Sequence, residues 1–238
     1  MKEIIRDGLA ELGLLDQVPP EAPEQLAEYG RLMLEKNQVM NLTAITDPEQ
    51  AARLHMLDSA ALLLCADFQG GKTLIDVGTG AGFPGLPLAM ACPGLRVTLL
   101  DAQQKRLNFL EAVVRELGLT NVTLCHSRAE DGARNPALRE RFNVAVARAV
   151  AALPVLCELC LPLVRPGGKF LAMKSVESDQ ELASAGHAIA TLGGAVAAVR
   201  DYVIPGTQVR HRLIIVEKAK KTPEKYPRMF AKIKKNPL

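Results

Sequence analysis

The sequence predicts an α/β protein in which a small helical region precedes a mostly parallel sheet covered by helices. Residues 1 to about 70 place apolar side chains at helical spacing. From Thr73 onward, short runs rich in Val, Ile and Leu alternate with helical segments, a pattern typical of parallel strands joined by right-handed crossovers. The last two strand-like runs are too close together in the chain for such a crossover.

Local patterns place the elements in order. Pro19, Pro20 and Pro23 separate an opening helix from the next one, and a later helical segment extends from Gln103 to Leu117. The apolar runs that predict parallel strands are 73–77, 96–101, 122–126, 142–147 and 169–174.

The last two predicted strands distinguish between two forms of the Rossmann-like fold. After a helix at about 178–192, the runs 195–203 and 211–217 are joined only by residues 204–210, so they should pair as an antiparallel hairpin. Five parallel strands and this hairpin make a seven-stranded sheet, which is typical of class I S-adenosylmethionine-dependent methyltransferases rather than dehydrogenases. The sequence is therefore divided into an N-terminal helical cap (1–70), a Rossmann-like methyltransferase core (71–218) and a C-terminal tail (219–238).

Composition limits the class of protein. The chain has 238 residues, 48% of them hydrophobic, which is enough for a full core. No apolar stretch approaches the roughly 18 residues of a membrane-spanning helix, and the amino end lacks the apolar region of a signal peptide. The five cysteines, including Cys157-x-x-Cys160 in an apolar helix, fit reduced, buried thiols better than a disulfide, redox or metal site. We expect a cytoplasmic monomer without a metal or a membrane partner.

Charge is distributed unevenly along the chain. The net charge is +3, but residues 219–238 hold seven basic residues and one acidic residue, which leaves the rest of the chain mildly acidic. A basic tail on an acidic body indicates a polyanionic partner, and Lys225 and Arg228 are its candidate contacts. The alternative is a solvated tail that only aids solubility.

Residues 74–82 predict a strand that runs directly into a nucleotide-binding turn. Two registers fit: G-x-G-x-x-G from Gly80, as in dinucleotide sites, and D-x-G-x-G-x-G from Asp76, as in S-adenosylmethionine-dependent methyltransferases. Because the strand ends at Val77, its first glycine is Gly78, which favours the second register. The candidate cofactor-binding glycines are Gly78, Gly80 and Gly82, where positive φ and the missing Cβ allow close backbone approach.

Polar residues follow the neighbouring strands. Asp101 ends the second strand, where it can accept hydrogen bonds from ribose hydroxyls or cap the next helix. Glu130, in the charged loop after the third strand, is the candidate for the adenine edge, although such a loop is often only solvated. Arg148 is the single cation at the carboxyl end of the fourth strand, so it is the candidate catalytic residue; the alternative is an arginine that reaches the surface.

Two further groups have weaker signals. Lys174 ends the fifth strand and Arg210 and Arg212 open the last one, where they could contact RNA phosphates or be ordinary exposed charges. His55, Asp58 and Ser59 share one helical face and should brace the cap against the core rather than act in chemistry.

Motifs along nearly the whole chain resemble the RsmG family, also called GidB, of bacterial 16S rRNA methyltransferases. The most specific are Gly-Ala-Gly-Phe-Pro-Gly at 80–85 and Thr-Pro-x-Lys-Tyr-Pro-Arg at 222–228. The others are Asn-Leu-Thr-Ala-Ile at 41–45, Arg-x-His-x-x-Asp-Ser at 53–59, Lys-Arg at 105–106, Arg-Ala-Glu-Asp at 128–131 and Ala-Arg-Ala-Val at 147–150. The resemblance implies methyl transfer from S-adenosylmethionine to N7 of guanine 527 in 16S rRNA, leaving S-adenosylhomocysteine, with naked RNA or the 30S subunit as substrate. It also implies cofactor contacts at Gly78, Phe83, Ala129, Glu130 and Arg148.

The residues present fit that chemistry. Guanine N7 has a lone pair and no proton at neutral pH, so its methylation needs placement rather than a general base. The chain has neither an Asn/Asp-Pro-Pro-aromatic motif after the fourth strand nor a Pro-Cys dipeptide, which other classes of nucleic-acid methyltransferase use. Arg148 would then act by electrostatic placement, either on the guanine or on the methionine carboxylate. A small-molecule methyltransferase and a non-catalytic nucleotide-binding module are the alternatives.

Overall fold

The structure is a computed structural model that describes all residues from 1 to 238. Helix α1 (Lys2–Glu11) and helix α2 (Ala22–Met40) open the chain, with Pro23 in the first turn of α2, where its missing N–H costs no hydrogen bond. The Asp47 side chain begins the next helical stretch by accepting a hydrogen bond from the Gln50 N–H. That stretch comprises α3 (Pro48–Ala51), a π-helical segment (Ala52–Leu57), α4 (Asp58–Ala60) and a 3₁₀ turn (Ala61–Leu64).

A seven-stranded sheet forms the centre of the molecule. Its strands are β1 (Thr73–Val77), β2 (Arg96–Asp101), β3 (Val122–His126), β4 (Phe142–Arg148), β5 (Val164–Ser175), β6 (Gly194–Val203) and β7 (Arg210–Lys218). The order across the sheet is β3-β2-β1-β4-β5-β7-β6. The first five strands are parallel, whereas β7 is antiparallel to both β5 and β6. This topology confirms the predicted α/β fold and its C-terminal hairpin.

Strand β5 begins five residues earlier than the sequence predicted. The structure accommodates Pro166, Gly167 and Gly168 in a bulge between two pairs of β4 and β5 residues, Phe142 with Val164 and Val144 with Lys169. An added Cβ at Gly168 would lie 2.6 Å from the Asn143 carbonyl oxygen, so the bulge depends on this glycine.

Helices cover both faces of the sheet. After the N-terminal helices they are α5 (Gly85–Ala91), α6 (Gln104–Glu116), α7 (Ala129–Gly132), α8 (Leu153–Cys160), α9 (Asp179–Thr191) and α10 (Phe230–Lys235). None is long and apolar enough to cross a membrane. On one face, Leu74 and Val146 pack in a core shared with α1, α2, α5 and α6, whereas on the other face Ile75 and Ala145 pack with α8 and α9. Side chains on a strand alternate between faces, so each strand contributes to both cores.

The segment after β7 lies against the second face rather than in solvent. Tyr226 and Ile233 are buried in the core that contains α8 and α9. The alternative of a merely solvated tail is therefore wrong for these two residues, because their apolar side chains have left water.

Candidate active site

The glycine turn follows β1 and joins it to α5. Gly78, Gly80 and Gly82 all have positive φ, at 71°, 61° and 105°, which other residues rarely adopt. An added Cβ at Gly82 would lie 2.6 Å from the Tyr29 hydroxyl, so this glycine is required by packing. An added Cβ at Gly80 would meet only the Gly78 carbonyl oxygen, at 4.0 Å. Gly80 therefore leaves open space where a ligand can approach the backbone.

Asp76 supports the turn from below. It is fully buried, and its Oδ2 accepts hydrogen bonds from the Thr79 hydroxyl at 2.7 Å and the Gly85 N–H at 2.9 Å. Its Oδ1 has no partner. Burial raises the pKa of Asp76 to about 6 in spite of these hydrogen bonds. This carboxyl therefore fixes the turn at some cost to stability when it is ionised.

Asp101 accepts two backbone hydrogen bonds, one from the start of α6 and one from the glycine turn. Its Oδ1 accepts a hydrogen bond from the Gln103 N–H at 2.8 Å, at the start of α6, and its Oδ2 accepts one from the Gly80 N–H at 2.9 Å. A carboxylate has about four acceptor positions, so capacity for a further donor remains. Because Asp101 also lines a cleft, that capacity is available to a ligand hydroxyl.

A cleft of about 320 Å³ lies at the carboxyl ends of β1 to β4 and reaches the lower end of the range of small-molecule sites. Among the predicted cofactor residues it brings together Gly78, Asp101, Ala129 and Glu130. Gly80, Gly82, Phe83 and Arg148 do not line it. Residues for which the sequence predicted no cofactor contact also line it: Leu100, Ala102, Arg106, Val150, Leu159 and Phe230.

Two larger clefts, of about 680 and 700 Å³, lie along α2. Neither includes a residue of the glycine turn or of a strand's carboxyl end. In an open α/β sheet the ligand site is at those carboxyl ends, so the smaller cleft is the stronger candidate.

Arg148 is held on the face covered by the N-terminal helices. Its Nη1 donates to Asp58 Oδ2 at 2.9 Å and to the Leu54 carbonyl at 3.1 Å, and its Nη2 lies 3.1 Å from His55 Nδ1. The guanidinium carbon lies 5.0 Å from the centre of the Phe83 ring, within cation–π range. Only 16% of the side chain is exposed. Arg148 is therefore fixed in position and does not extend freely to the surface.

Asp58 joins four parts of the chain around Arg148. Besides Arg148, its carboxylate accepts hydrogen bonds at 2.8 Å from the Tyr202 hydroxyl and from His211 Nδ1. Burial alone would raise its pKa, but the hydrogen bonds from His211 and Tyr202 and the charge of Arg148 together lower the pKa of Asp58. The expected bracing of the cap against the core is confirmed for Asp58, whereas Ser59 bonds within its own helix to the His55 carbonyl.

His55 lies between this network and the turn. Its ring stacks on Phe83 with centres 4.5 Å apart, and its Nε2 lies 2.9 Å from the Thr43 hydroxyl. Burial and the neighbouring charge of Arg148 lower the pKa of His55 to about 4. The imidazole is therefore neutral at physiological pH, and both of its nitrogens have protein partners.

The cations predicted to contact RNA differ in their exposure and in whether an acidic side chain pairs with them. Lys174 pairs with Glu181 at 2.6 Å, Arg212 with Asp179 and Asp201, and Arg228 with the buried Glu158. Each of these three cations is paired with an acidic side chain, and their predicted contacts with RNA phosphates stay predictions. The Arg210 side chain is 60% exposed and lies 3.8 Å from Asp201, and Lys225 lies beside the Tyr226 ring. These two remain accessible.

Comparison with known proteins identifies the family. A family model described as rRNA small subunit methyltransferase G matches residues 22–210. The chain belongs to this family. Ribosomal RNA small subunit methyltransferase G from Clostridium beijerinckii is 46% identical over 93% of both chains, and that from Lactobacillus johnsonii is 45% identical over 99% of both. The resemblance inferred from the motifs is therefore confirmed, and the chain is a member of a family of small-subunit rRNA methyltransferases.

Solved structures agree on the fold. TrmN from Thermus thermophilus superposes with a TM-score of 0.52 at 23% identity, over 67% of this chain and 48% of that one. A SAM-dependent methyltransferase from Aquifex aeolicus superposes with a TM-score of 0.51 at 20% identity, over 71% and 93%. At such identities the likeness supports the Rossmann-like methyltransferase fold and nothing about the substrate.

Proposed function

We propose that this member of the methyltransferase G family transfers a methyl group from S-adenosylmethionine to N7 of a guanine in 16S rRNA, at position 527 by family resemblance. The observation that carries the proposal is the cleft at the strand ends, which has ligand-binding groups on its walls. The protein would act in the cytoplasm as a monomer, with the RNA or the 30S subunit as its partner.

The cleft has the features that S-adenosylmethionine requires. On its walls, Asp101 has acceptor capacity for ribose hydroxyls and Glu130 can accept from the adenine amine. In the adjoining turn, the open space over Gly80 allows a ligand to approach the backbone. When bound, this cofactor supplies an electrophilic methyl group. The side chains that hold it would be those of Asp101 and Glu130, with the Gly78 and Ala129 backbone in close contact.

The side chains near Phe83 suit an acceptor that does not lose a proton. His55 is neutral but has both nitrogens engaged, and the Asp58 carboxylate is buried beneath three donors. The Asp76 carboxyl is fully buried beneath the glycine turn. None of these groups is free to act as a general base, whereas guanine N7 needs none. Arg148 would act by placement, with its charge held next to the Phe83 ring, and can orient the guanine or the methionine carboxylate.

The decisive experiment maps the methylated nucleotide. Small subunits lacking the modification are incubated with the protein and labelled S-adenosylmethionine, and the labelled position in 16S rRNA is identified. We expect label on N7 of the expected guanine; label at another nucleotide would refute the assigned acceptor. Arg148→Ala should lower the turnover number about 100-fold, the usual effect of removing a preorganised electrostatic contact. Full activity in this variant would exclude Arg148 from the site.

A further inference from the structure

The C-terminal segment returns to the candidate cofactor cleft. After β7 the chain crosses the second face of the sheet, and Phe230, at the start of α10, lines the cleft together with Asp101 and Glu130. In sequence Phe230 is about 100 residues from Glu130 and lies inside the basic tail. The basic residues of this tail indicate an RNA contact, and nothing in its sequence indicates a role at the cofactor site.

Three arginines and one buried side chain hold this segment in place. Arg139 donates to the Tyr226 carbonyl at 2.8 Å, and Arg134 donates to the Pro227 carbonyl at 2.9 Å. Arg228 forms several hydrogen bonds to Glu158, whose carboxylate is fully buried. On the other side of Phe230, Ile233 is buried in the core. The backbone around Phe230 is thus fixed on both sides, so its ring is in a defined position.

The Phe230 ring is coupled to the residue proposed to bind adenine. The Arg128 guanidinium carbon lies 5.5 Å from the ring centre, and Arg128 Nε donates to Glu130 Oε1 at 2.8 Å. Glu130 itself is only 5% exposed. The ring, the guanidinium and the carboxylate form a connected group at the rim of the cleft, next to the apolar side chains of Leu100, Val150 and Leu159.

We infer that Phe230 forms the outer wall of the adenine subsite and stacks on the purine ring. An aromatic face, apolar side chains and one carboxylate match the flat apolar faces and the amine edge of adenine. This inference rests on the proposed function, since it assigns the purine to S-adenosylmethionine. It makes the C-terminal segment part of the cofactor site as well as a basic surface.

The absence of tryptophan from the chain allows a direct test. Phe230→Trp places a single tryptophan at the proposed stacking position, and Met229→Trp places one at the neighbouring exposed position. S-adenosylhomocysteine should quench the emission of the first variant with the midpoint that calorimetry gives, and leave the second unchanged. Calorimetric binding without quenching in Phe230→Trp would overturn the inference.

Affinity gives a second measurement. In the full chain, Phe230→Ala should weaken S-adenosylhomocysteine binding about tenfold, which corresponds to about 1.4 kcal/mol, whereas Phe230→Tyr and Met229→Ala should bind as the wild type does. Thermal unfolding without ligand checks that each variant is folded. Wild-type affinity in folded Phe230→Ala would refute the inference alone. Failure of the wild type to bind S-adenosylhomocysteine would refute the proposed cofactor instead.

Discussion

Two groups of similar composition lie on the two faces of the sheet. Each joins an arginine to a carboxylate beside a phenylalanine: Arg148, Asp58 and Phe83 on one face, Arg128, Glu130 and Phe230 on the other. They differ in burial, since 16% of the Arg148 side chain is exposed against 57% of Arg128. They also differ in the number of hydrogen bonds to the carboxylate: Asp58 accepts from three side chains, whereas Glu130 accepts from Arg128.

Burial determines what such a group can do. In the low dielectric of the interior, charges interact strongly, and leaving one of them unpaired costs free energy. The group around Asp58 therefore has one stable arrangement, which suits the precise placement of a reacting atom. In the second group only the arginine is exposed; a contact that water can reach is worth less, so Arg128 can shift when a ligand enters while Glu130 stays buried. We infer that the first group orients the methyl transfer and the second adapts to the cofactor.

The largest effect should come from breaking the buried group. Asp58→Ala leaves Arg148 largely buried without its acid and removes the partner of Tyr202 and His211, so we expect a loss of about 3–5 kcal/mol in the free energy of unfolding. Denaturant titration measures it. The matched control is Glu28→Ala, which breaks an exposed pair with Arg31 and should have a much smaller effect. Equal effects of the two changes would remove the proposed difference between buried and exposed pairs.

A smaller, pH-dependent effect should come from His55. Since its pKa falls from 6.5 to about 4 on folding, the unfolded chain takes up a proton between these values and the folded chain does not. Stability contributed at this position should therefore decline as pH falls from about 6.5 to 4, by about 3 kcal/mol in all. Asp76 titrates in the opposite sense over an overlapping range, because its pKa is raised on folding.

The comparison of wild type with His55→Gln isolates the histidine. Glutamine can keep polar contacts with Arg148 and Thr43 but has no proton to gain. The difference in unfolding free energy between the two proteins, measured from pH 7 to pH 4, should move steadily in favour of the variant. A difference independent of pH would show that His55 is as easily protonated in the folded protein as in the unfolded chain.

The two groups also differ in how far the sequence predicted them. Periodicity placed the strand ends, and the glycines after Val77 placed the turn, because both signals are local. The place of Arg148 at the end of β4 was predicted because a single cation that ends an apolar run is also a local signal, and its role in catalysis stays a prediction. Its partners Tyr202 and His211 come from the hairpin, and no local signal connects them to Asp58.

The C-terminal segment was the hardest part to predict. Its basic composition indicated a polyanion, yet Arg228 bonds to Glu158, 70 residues away, and Arg139 holds Tyr226 across 87 residues. The charge pattern along the chain does not reveal such contacts, because each partner lies in another element. Phe230 is a single aromatic residue without periodicity, so only its final position indicates a role.

The smallest effect should come from the exposed group. Arg128→Ala removes one hydrogen bond to the buried Glu130 carboxylate and the contact with Phe230. Because 57% of the Arg128 side chain is exposed, water already surrounds the guanidinium and can reach the carboxylate when it is removed. The midpoint of thermal unfolding should therefore stay as in the wild type, and S-adenosylhomocysteine affinity should fall at most a fewfold, measured by calorimetry. Phe230→Ala in the same background should weaken binding further, because the proposed stacking is made by the ring itself. If Arg128→Ala destabilised the protein as strongly as Asp58→Ala, exposure would not be the property that separates the two groups.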